Sequence, residues 1–250
     1  MDRTKDVIIH EYERVDDLQY KGLKLIQNPE SFCFGIDAVL LANYAKASKG
    51  DTVVDLGTGT GVIPILMSGK TEADRLIGFD IQDESVEMAA RSVAINSLSD
   101  RVEIRKGDIC ELPDSFPKGS VDVVTSNPPY MIDSHGLHGD TDAKTIARHE
   151  VKCTLDDVAK AASSMLKTGG YFYMIHRPFR LAEIMVTLVS YHLEPKRMRF
   201  VYPYIDKEPT MVLIEARRDG KSRVTVEKPL IVYDSQGVYT EDILEYYGTN

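Results

Sequence analysis

Residues 52 to 63 read Thr-Val-Val-Asp-Leu-Gly-Thr-Gly-Thr-Gly-Val-Ile: a β-branched strand, a turn carrying three glycines, and the start of an apolar helix. A chain that leaves a strand and enters a helix within a few residues must turn sharply. Glycine allows that turn and leaves room for a ligand to approach the backbone. Such a unit belongs in an α/β sheet, with a nucleotide-like ligand expected over the turn. A dinucleotide fingerprint, G-x-G-x-x-G, would put its third glycine at position 62, where Val62 stands; here Gly57, Gly59 and Gly61 form G-x-G-x-G.

From Asp51 onward, short β-branched runs alternate with amphipathic stretches, the pattern of βα units and a mostly parallel sheet. Strands are predicted near residues 52–55, 76–80, 102–105, 121–125, 171–176, 196–202 and 211–216. The spacing predicts a helix over 84–94, with Val86, Ala89, Ala90 and Val93 on one face. A second covers 155–166 and is stopped by Gly169-Gly170, and a third runs through Leu181, Ile184, Met185, Leu188 and Val189. No long helix separates the last two strands, so they read as an antiparallel hairpin. Residues 31–45 predict a helix begun by Asp37 as cap or first-turn acid, and the tail a helix capped by Thr240. Without repeats or linkers, residues 1–250 read as one domain: an extension over 1–50, a core over 51–218 and a tail over 219–250.

The composition, 43% hydrophobic and 28% charged, is that of an ordinary globular protein. No window approaches the roughly 18 apolar residues of a membrane span, and Met1 to His10 carries charges where a signal peptide is apolar, so a cytoplasmic location is expected. A net charge of −9 argues against a surface that grips nucleic acid throughout and leaves room only for local basic patches. Cys33, Cys110 and Cys153 are odd in number, far apart and without the paired spacing of a zinc or redox motif; they read as reduced, buried thiols, and no metal is expected.

Two acids extend the glycine turn. Asp80 closes the second strand, where a carboxylate accepts both hydroxyls of a ribose, although a helix cap is the plainer alternative. Asp108 follows the third strand, where an ordinary turn residue is the alternative. The fourth strand runs into Asn127-Pro128-Pro129-Tyr130. An amine conjugated to a π system, such as an adenine exocyclic amine or an amide, is a poor nucleophile until it is drawn toward tetrahedral geometry. The Asn127 side-chain oxygen and the Pro128 carbonyl can accept its two N–H bonds, proline holds that carbonyl steady, and Tyr130 can stack on the planar target.

The glycine turn, Asp55, Asp80, Asp108 and Asn127 to Tyr130 together resemble the class I S-adenosylmethionine-dependent methyltransferases that modify amino groups, over roughly Asp51 to Arg218. The resemblance implies a Rossmann-like class I methyltransferase fold: a seven-stranded, mostly parallel sheet with a C-terminal antiparallel hairpin and helices on both faces. It implies S-adenosylmethionine as cofactor and S-adenosylhomocysteine as product, with Asp55 near the methionine part. Asp80 with Ile81 would lie at the ribose and Asp108 with Ile109 at the adenine. Residues 27–42, including Phe34-Gly-Ile-Asp37, and His176-Arg177-Pro178 are similar to the bacterial tRNA1(Val) adenine-N6 methyltransferase group. That likeness implies methylation of the adenosine just 3′ of the anticodon, with Gln27, Phe34 and Asp37 walling the cofactor pocket.

Candidate tRNA contacts are Arg177, Arg180, Lys196, Arg197 and Arg199, followed by Arg217, Arg218, Lys221 and Arg223, with solvated strand charges as the equal alternative. His135, His138, Asp133, Asp140 and Asp142 read as a substrate-side loop rather than a metal site, and Arg148-His149-Glu150 as part of that lid or as a cap. Two other functions remain open. Protein glutamine N5-methylation of release factors uses the same Asn-Pro-Pro-Tyr run, but only about fifty residues precede the first core strand, too few for the usual helical substrate domain. A non-catalytic S-adenosylmethionine- or RNA-binding module is opposed by the intact Asn127 to Tyr130.

Overall fold

The computed structural model describes residues 7–31, 33–128 and 153–248. Its elements are β1 (Arg14–Asp17), β2 (Lys24–Gln27), α1 (Ile36–Tyr44), β3 (Thr52–Leu56), α2 (Val62–Lys70), β4 (Arg75–Asp80), α3 (Asp83–Ile95), β5 (Val102–Lys106), α4 (Leu112–Ser115) and β6 (Val121–Ser126). There follow α5 (Leu155–Met165), β7 (Leu166–His176), α6 (Leu181–Ser190), β8 (Leu193–Tyr202) and β9 (Met211–Arg218). The tail contributes β10 (Thr225–Val226), β11 (Leu230–Ile231), β12 (Tyr233–Ser235), β13 (Val238–Tyr239) and α7 (Glu241–Tyr247).

Strands β7, β6, β3, β4 and β5 lie side by side in that order, all parallel. The expected closing hairpin is present, with β9 inserted between β7 and β8 and antiparallel to both. These are the seven strands read from the sequence. The tail adds two more, because β10 and β11 pair parallel to β8 and bring the sheet to nine. Two-residue strands carry no hydrophobic period, so they left no sequence signal.

The parallel strands are apolar on both faces because both are covered. Side chains of α1 and α2, such as Leu41 and Ile65, pack on one face, and those of α4, α5 and α6, such as Leu112, Val158 and Ile184, on the other. The chain lays β4 and β5 on one side of β3 and then returns to lay β6 and β7 on the other. That reversal opens a crevice between the carboxyl ends of β3 and β6, the usual place for a ligand in such a sheet.

Three local expectations change. In α3 the buried residues are Met88, Ala89, Ser92 and Val93, with Ala90 exposed, because the helix packs against β2 and the β4–β5 side together. Helix α5 ends at Met165, and Gly169-Gly170 lie within β7, where the register against β6 shifts; Gly169 has φ +84°, and a Cβ at Gly170 would meet the Asp122 carbonyl at 2.9 Å. The cysteines are not buried: Cys110 is exposed and Cys33 and Cys153 are partly covered. Asp37 is a first-turn acid of α1, and Gly35 holds the cap position.

The β1–β2 hairpin is held on α3 by side chains that imitate a neighbouring strand. The Asn96 carboxamide accepts from Lys24 N–H at 2.8 Å and donates to Lys24 C=O at 2.6 Å, and Ser92 Oγ accepts from Ile26 N–H at 2.9 Å. Arg91 clamps Glu13 through both guanidinium nitrogens, at 2.7 and 2.5 Å. Among the described residues, no helix is long and apolar enough to cross a membrane.

The glycine turn is seated by Gly78 in the middle of β4. A Cβ there would lie 2.7 Å from Thr58 Oγ1 and 2.9 Å from its methyl, so Thr58 occupies the space that a side chain at 78 would fill. We expect Gly78→Ala to cost about 1–3 kcal/mol, the usual penalty for overpacking, in urea unfolding. Adding Thr58→Ala should recover part of that loss, and strict additivity of the two changes would show that they do not meet.

Candidate functional site

The carboxyl ends of β3, β4 and β6 bring the motifs together. A cavity of about 300 Å³ is lined by Gly57, Thr58 and Gly59 of the turn, Phe34 and Ala38 of the N-terminal segment, Gln82, Glu84, Ser85 and Met88 at the start of α3, and Asn127. A larger cleft of about 550 Å³, between Lys46, Asp51, Asp122, Lys167 and Tyr171, contains none of the motif residues and is bordered by paired charges. Chemistry rather than size therefore identifies the site.

The glycine turn is folded on its own hydrogen bonds. Gly57 and Thr58 both donate to the Phe79 carbonyl, at 2.9 and 2.8 Å, Gly61 donates to the Thr58 carbonyl at 2.9 Å, and Gly59 donates to the Asp80 carboxylate at 2.8 Å. All three glycines have positive φ, and Gly61 begins α2. A phosphate cradle needs N–H groups turned toward the ligand, and these four are already engaged. These four groups are therefore held by the protein itself, while Thr60 of the turn and Val62 and Ile63 at the start of α2 also line the cavity.

Asp80 is almost fully covered, and its other oxygen accepts from Gln82 N–H at 2.9 Å; each carboxylate oxygen retains a further lone pair. Ile81 is partly exposed beside it. Asp108 accepts from Cys110 N–H at 2.9 Å in a side-chain turn, the plainer of its two expected roles. Ile109 comes within 3.9 Å of where a Gly57 Cβ would stand.

Asp55 is wholly buried under the turn. Its Oδ1 accepts from the Thr125 hydroxyl at 2.6 Å, while its Oδ2 and the nearby Thr58 Oγ1 are buried without a hydrogen-bond partner. Burial pushes this carboxyl up to about 6, against hydrogen bonding that lowers it. The orphaned Asp55 carboxylate oxygen at the foot of the turn fits a cofactor with a cationic methionine end.

Two further residues, Gln27 and Asp37, do not line the cavity but hold residues that do. Gln27, 1% exposed, accepts from Phe34 N–H at 2.9 Å and donates to Asp16, so it fixes the segment that carries Phe34. Asp37 Oδ2 accepts from Asn127 Nδ2 at 3.0 Å, across 90 residues of sequence. This bond sets which end of the Asn127 carboxamide is which, with the nitrogen toward α1 and the acceptor oxygen opposite. Pro128 follows at the end of β6; Pro129, Tyr130 and the polar stretch through Glu150 lie outside the described residues.

The basic residues divide. Arg177 and Arg180 follow β7, the strand next to β6; Arg177 donates to the Thr210 carbonyl at 3.0 Å and Arg180 pairs with Glu183 at 2.6 Å. His176, buried at the end of β7, accepts from Arg177 N–H at 2.7 Å, and burial lowers it to about 4, so it is neutral near pH 7. Lys196, Arg197 and Arg199 sit on β8, three strands from β6 and so about 14 Å away. Lys196 donates to the Lys221 carbonyl, Arg197 pairs with Glu215 and Glu227, and Arg199 pairs with Asp242. They are not brought to the cavity. Arg217 and Arg218 likewise hold the Gly169 and Ser163 carbonyls. The reading of the sequence missed Thr58 and the α3 residues Gln82, Ser85 and Met88, whose only signal was their place just after Asp80.

A family profile described as a methyltransferase domain matches residues 47–199. A Phocaeicola vulgatus protein named tRNA1(Val) (adenine(37)-N6)-methyltransferase is 30% identical, with 84% of this chain and 86% of that protein covered. One of the same name from Porphyromonas gingivalis is 28% identical over 91% of each. Among solved structures, a predicted O-methyltransferase from Agrobacterium tumefaciens superposes with a TM-score of 0.69 at 22% identity, covering 85% of this chain and 96% of that one.

The raised carboxyl of Asp55 predicts a pH effect. Between the ordinary value of 3.8 and about 6 the folded protein holds a proton that the unfolded chain has released, so stability falls as pH rises through that window. Thermal unfolding of Asp55→Asn should match the parent below about pH 4 and exceed it by about 2–3 kcal/mol above pH 6. Parallel pH profiles for the two proteins would show that Asp55 does not titrate there.

Proposed function

The chain belongs to the methyltransferase-domain family, and from that premise we propose that it uses S-adenosylmethionine to methylate N6 of adenosine 37 in tRNA1(Val). The observation that carries this reading is that Asn127 lines the same cavity as the glycine turn, with its carboxamide oriented by Asp37. Relatives aligned over most of the chain carry the tRNA name and support the substrate. The cytoplasm, where tRNA is modified, is the compartment this activity requires.

When bound, S-adenosylmethionine supplies a methyl group on a sulfonium, electrophilic enough for direct in-line transfer. The residues of the chain do the rest. Asp80 accepts the ribose hydroxyls, Ile81 and Ile109 flank the nucleoside, and Asp108 faces the adenine edge. Asp55 and Thr58 hold the cationic methionine end below the turn. The Asn127 oxygen and the Pro128 carbonyl accept the two N6–H bonds of the target, turning its lone pair toward the methyl and stabilising the positive charge that grows on nitrogen. Pro129 and Tyr130 complete the motif, with Tyr130 stacking on the base. Arg177 and Arg180, next to this edge, are the basic side chains placed to meet tRNA phosphate.

Methyl-labelled S-adenosylmethionine incubated with tRNA lacking the modification should yield N6-methyladenosine on nucleoside analysis. Label found only on release factors, with a protein extract run alongside, would overturn the RNA assignment. Asn127→Ala should lower kcat by roughly 100-fold or more while leaving cofactor affinity nearly unchanged. Asp37→Ala should lower kcat by about tenfold with little effect on the KM for tRNA, because the acceptor oxygen is then no longer held in one orientation. Full activity in either variant would remove the clamp from the mechanism.

A further inference from the structure

The cysteines that the sequence set apart come together in the fold. Cys110 lies in the loop after β5, two residues beyond Asp108. Cys153 lies at the entrance to α5, and Asp157 is the third residue of that helix. The two Sγ atoms and a carboxylate oxygen of Asp157 all fall within 4.8 Å of one another.

A tetrahedral zinc ion with Zn–S bonds of about 2.3 Å sets its thiolates roughly 3.8 Å apart, within reach of small side-chain rotations from this arrangement. The charges point the same way. Asp108 and Asp157 both act on the Cys110 thiol. Among the described residues neither acid is in an ion pair, and Lys160 acts on Asp157 only through space. Two thiols and the Asp157 carboxylate bring soft and hard donors together, the ligand chemistry of zinc.

We infer that Cys110, Cys153 and Asp157 form a binding site for a thiophilic divalent cation, Zn²⁺ foremost, with water at the fourth position. Such an ion would tie the loop that follows Asp108 and Ile109 to the start of α5. The Asp157 carboxylate is presented by its capping box, in which Thr154 donates from both its N–H and its hydroxyl, so one ligand is already oriented. This site is independent of which substrate is methylated.

The test is a Co²⁺ titration of the reduced, metal-free protein. One equivalent should produce an intense thiolate-to-cobalt charge-transfer band in the near ultraviolet, and Zn²⁺ should abolish it by displacement. Cys110→Ser and Cys153→Ser should each lose most of the band, while Asp157→Asn keeps it and needs about tenfold more cobalt to reach it. Zn²⁺ should raise the Tm of the parent and leave that of Cys110→Ser unmoved. Absence of the band in the parent at one equivalent would overturn the site. So would equal zinc uptake by the parent and both serine variants, or air oxidation to a Cys110–Cys153 disulfide in a protein that takes up no metal when reduced.

Discussion

Thr58 rests where β4 has no side chain, and the position of the whole glycine turn follows from that contact. Because Gly78 leaves its face of the strand bare, Thr58 drops against the sheet, and the backbone on either side of it bonds to the Phe79 carbonyl and to Asp80. The turn is thus tied to β4 rather than left as a loop above β3. One strand supplies the seat, the carbonyl anchor and Asp80, so the glycine turn and that acid keep a fixed separation.

The same bonding explains which kind of ligand the turn serves. The N–H groups of Gly57, Thr58, Gly59 and Gly61 are engaged within the protein and so are not offered to an anionic group. The unsatisfied groups nearby are the carboxylate oxygen Asp55 Oδ2, an acceptor, and the Thr58 hydroxyl, which can both donate and accept. A pyrophosphate would meet the wrong polarity there, whereas a ligand with a sulfonium and an ammonium meets the right one. The spacing of the glycines and the buried Asp55 carboxylate beside them both disfavour a dinucleotide.

What could be read from the sequence was what local chemistry dictates. The three glycines answer to φ alone, Asp80 stands at a strand end, and Asn127-Pro128 terminates a strand whatever lies around it, so each was visible in a few adjacent residues. Contacts set by register over long separations were not. Asp37 and Asn127 were both singled out, yet nothing in their neighbours shows that they bond each other. Cys110 and Cys153 looked isolated because 42 residues separate two loops that the β5 and α5 positions bring together. Arg197 and Arg199 looked available for RNA because their acidic partners lie on β9 and in the tail, which a one-dimensional reading cannot place beside β8.

The clasp between Asn96 and Lys24 bears on how the protein reaches its working form. Ser31, Phe34 and Ala38 wall the cavity from a segment synthesised before α3, and the strand leading into it is held by Ser92 in that helix and Asn96 at its end, made some seventy residues later. Closing so long a loop comes late relative to local pairing. During synthesis the nascent N-terminus has no docking partner, and the cofactor chamber gains its last wall only after the first βα units of the sheet exist.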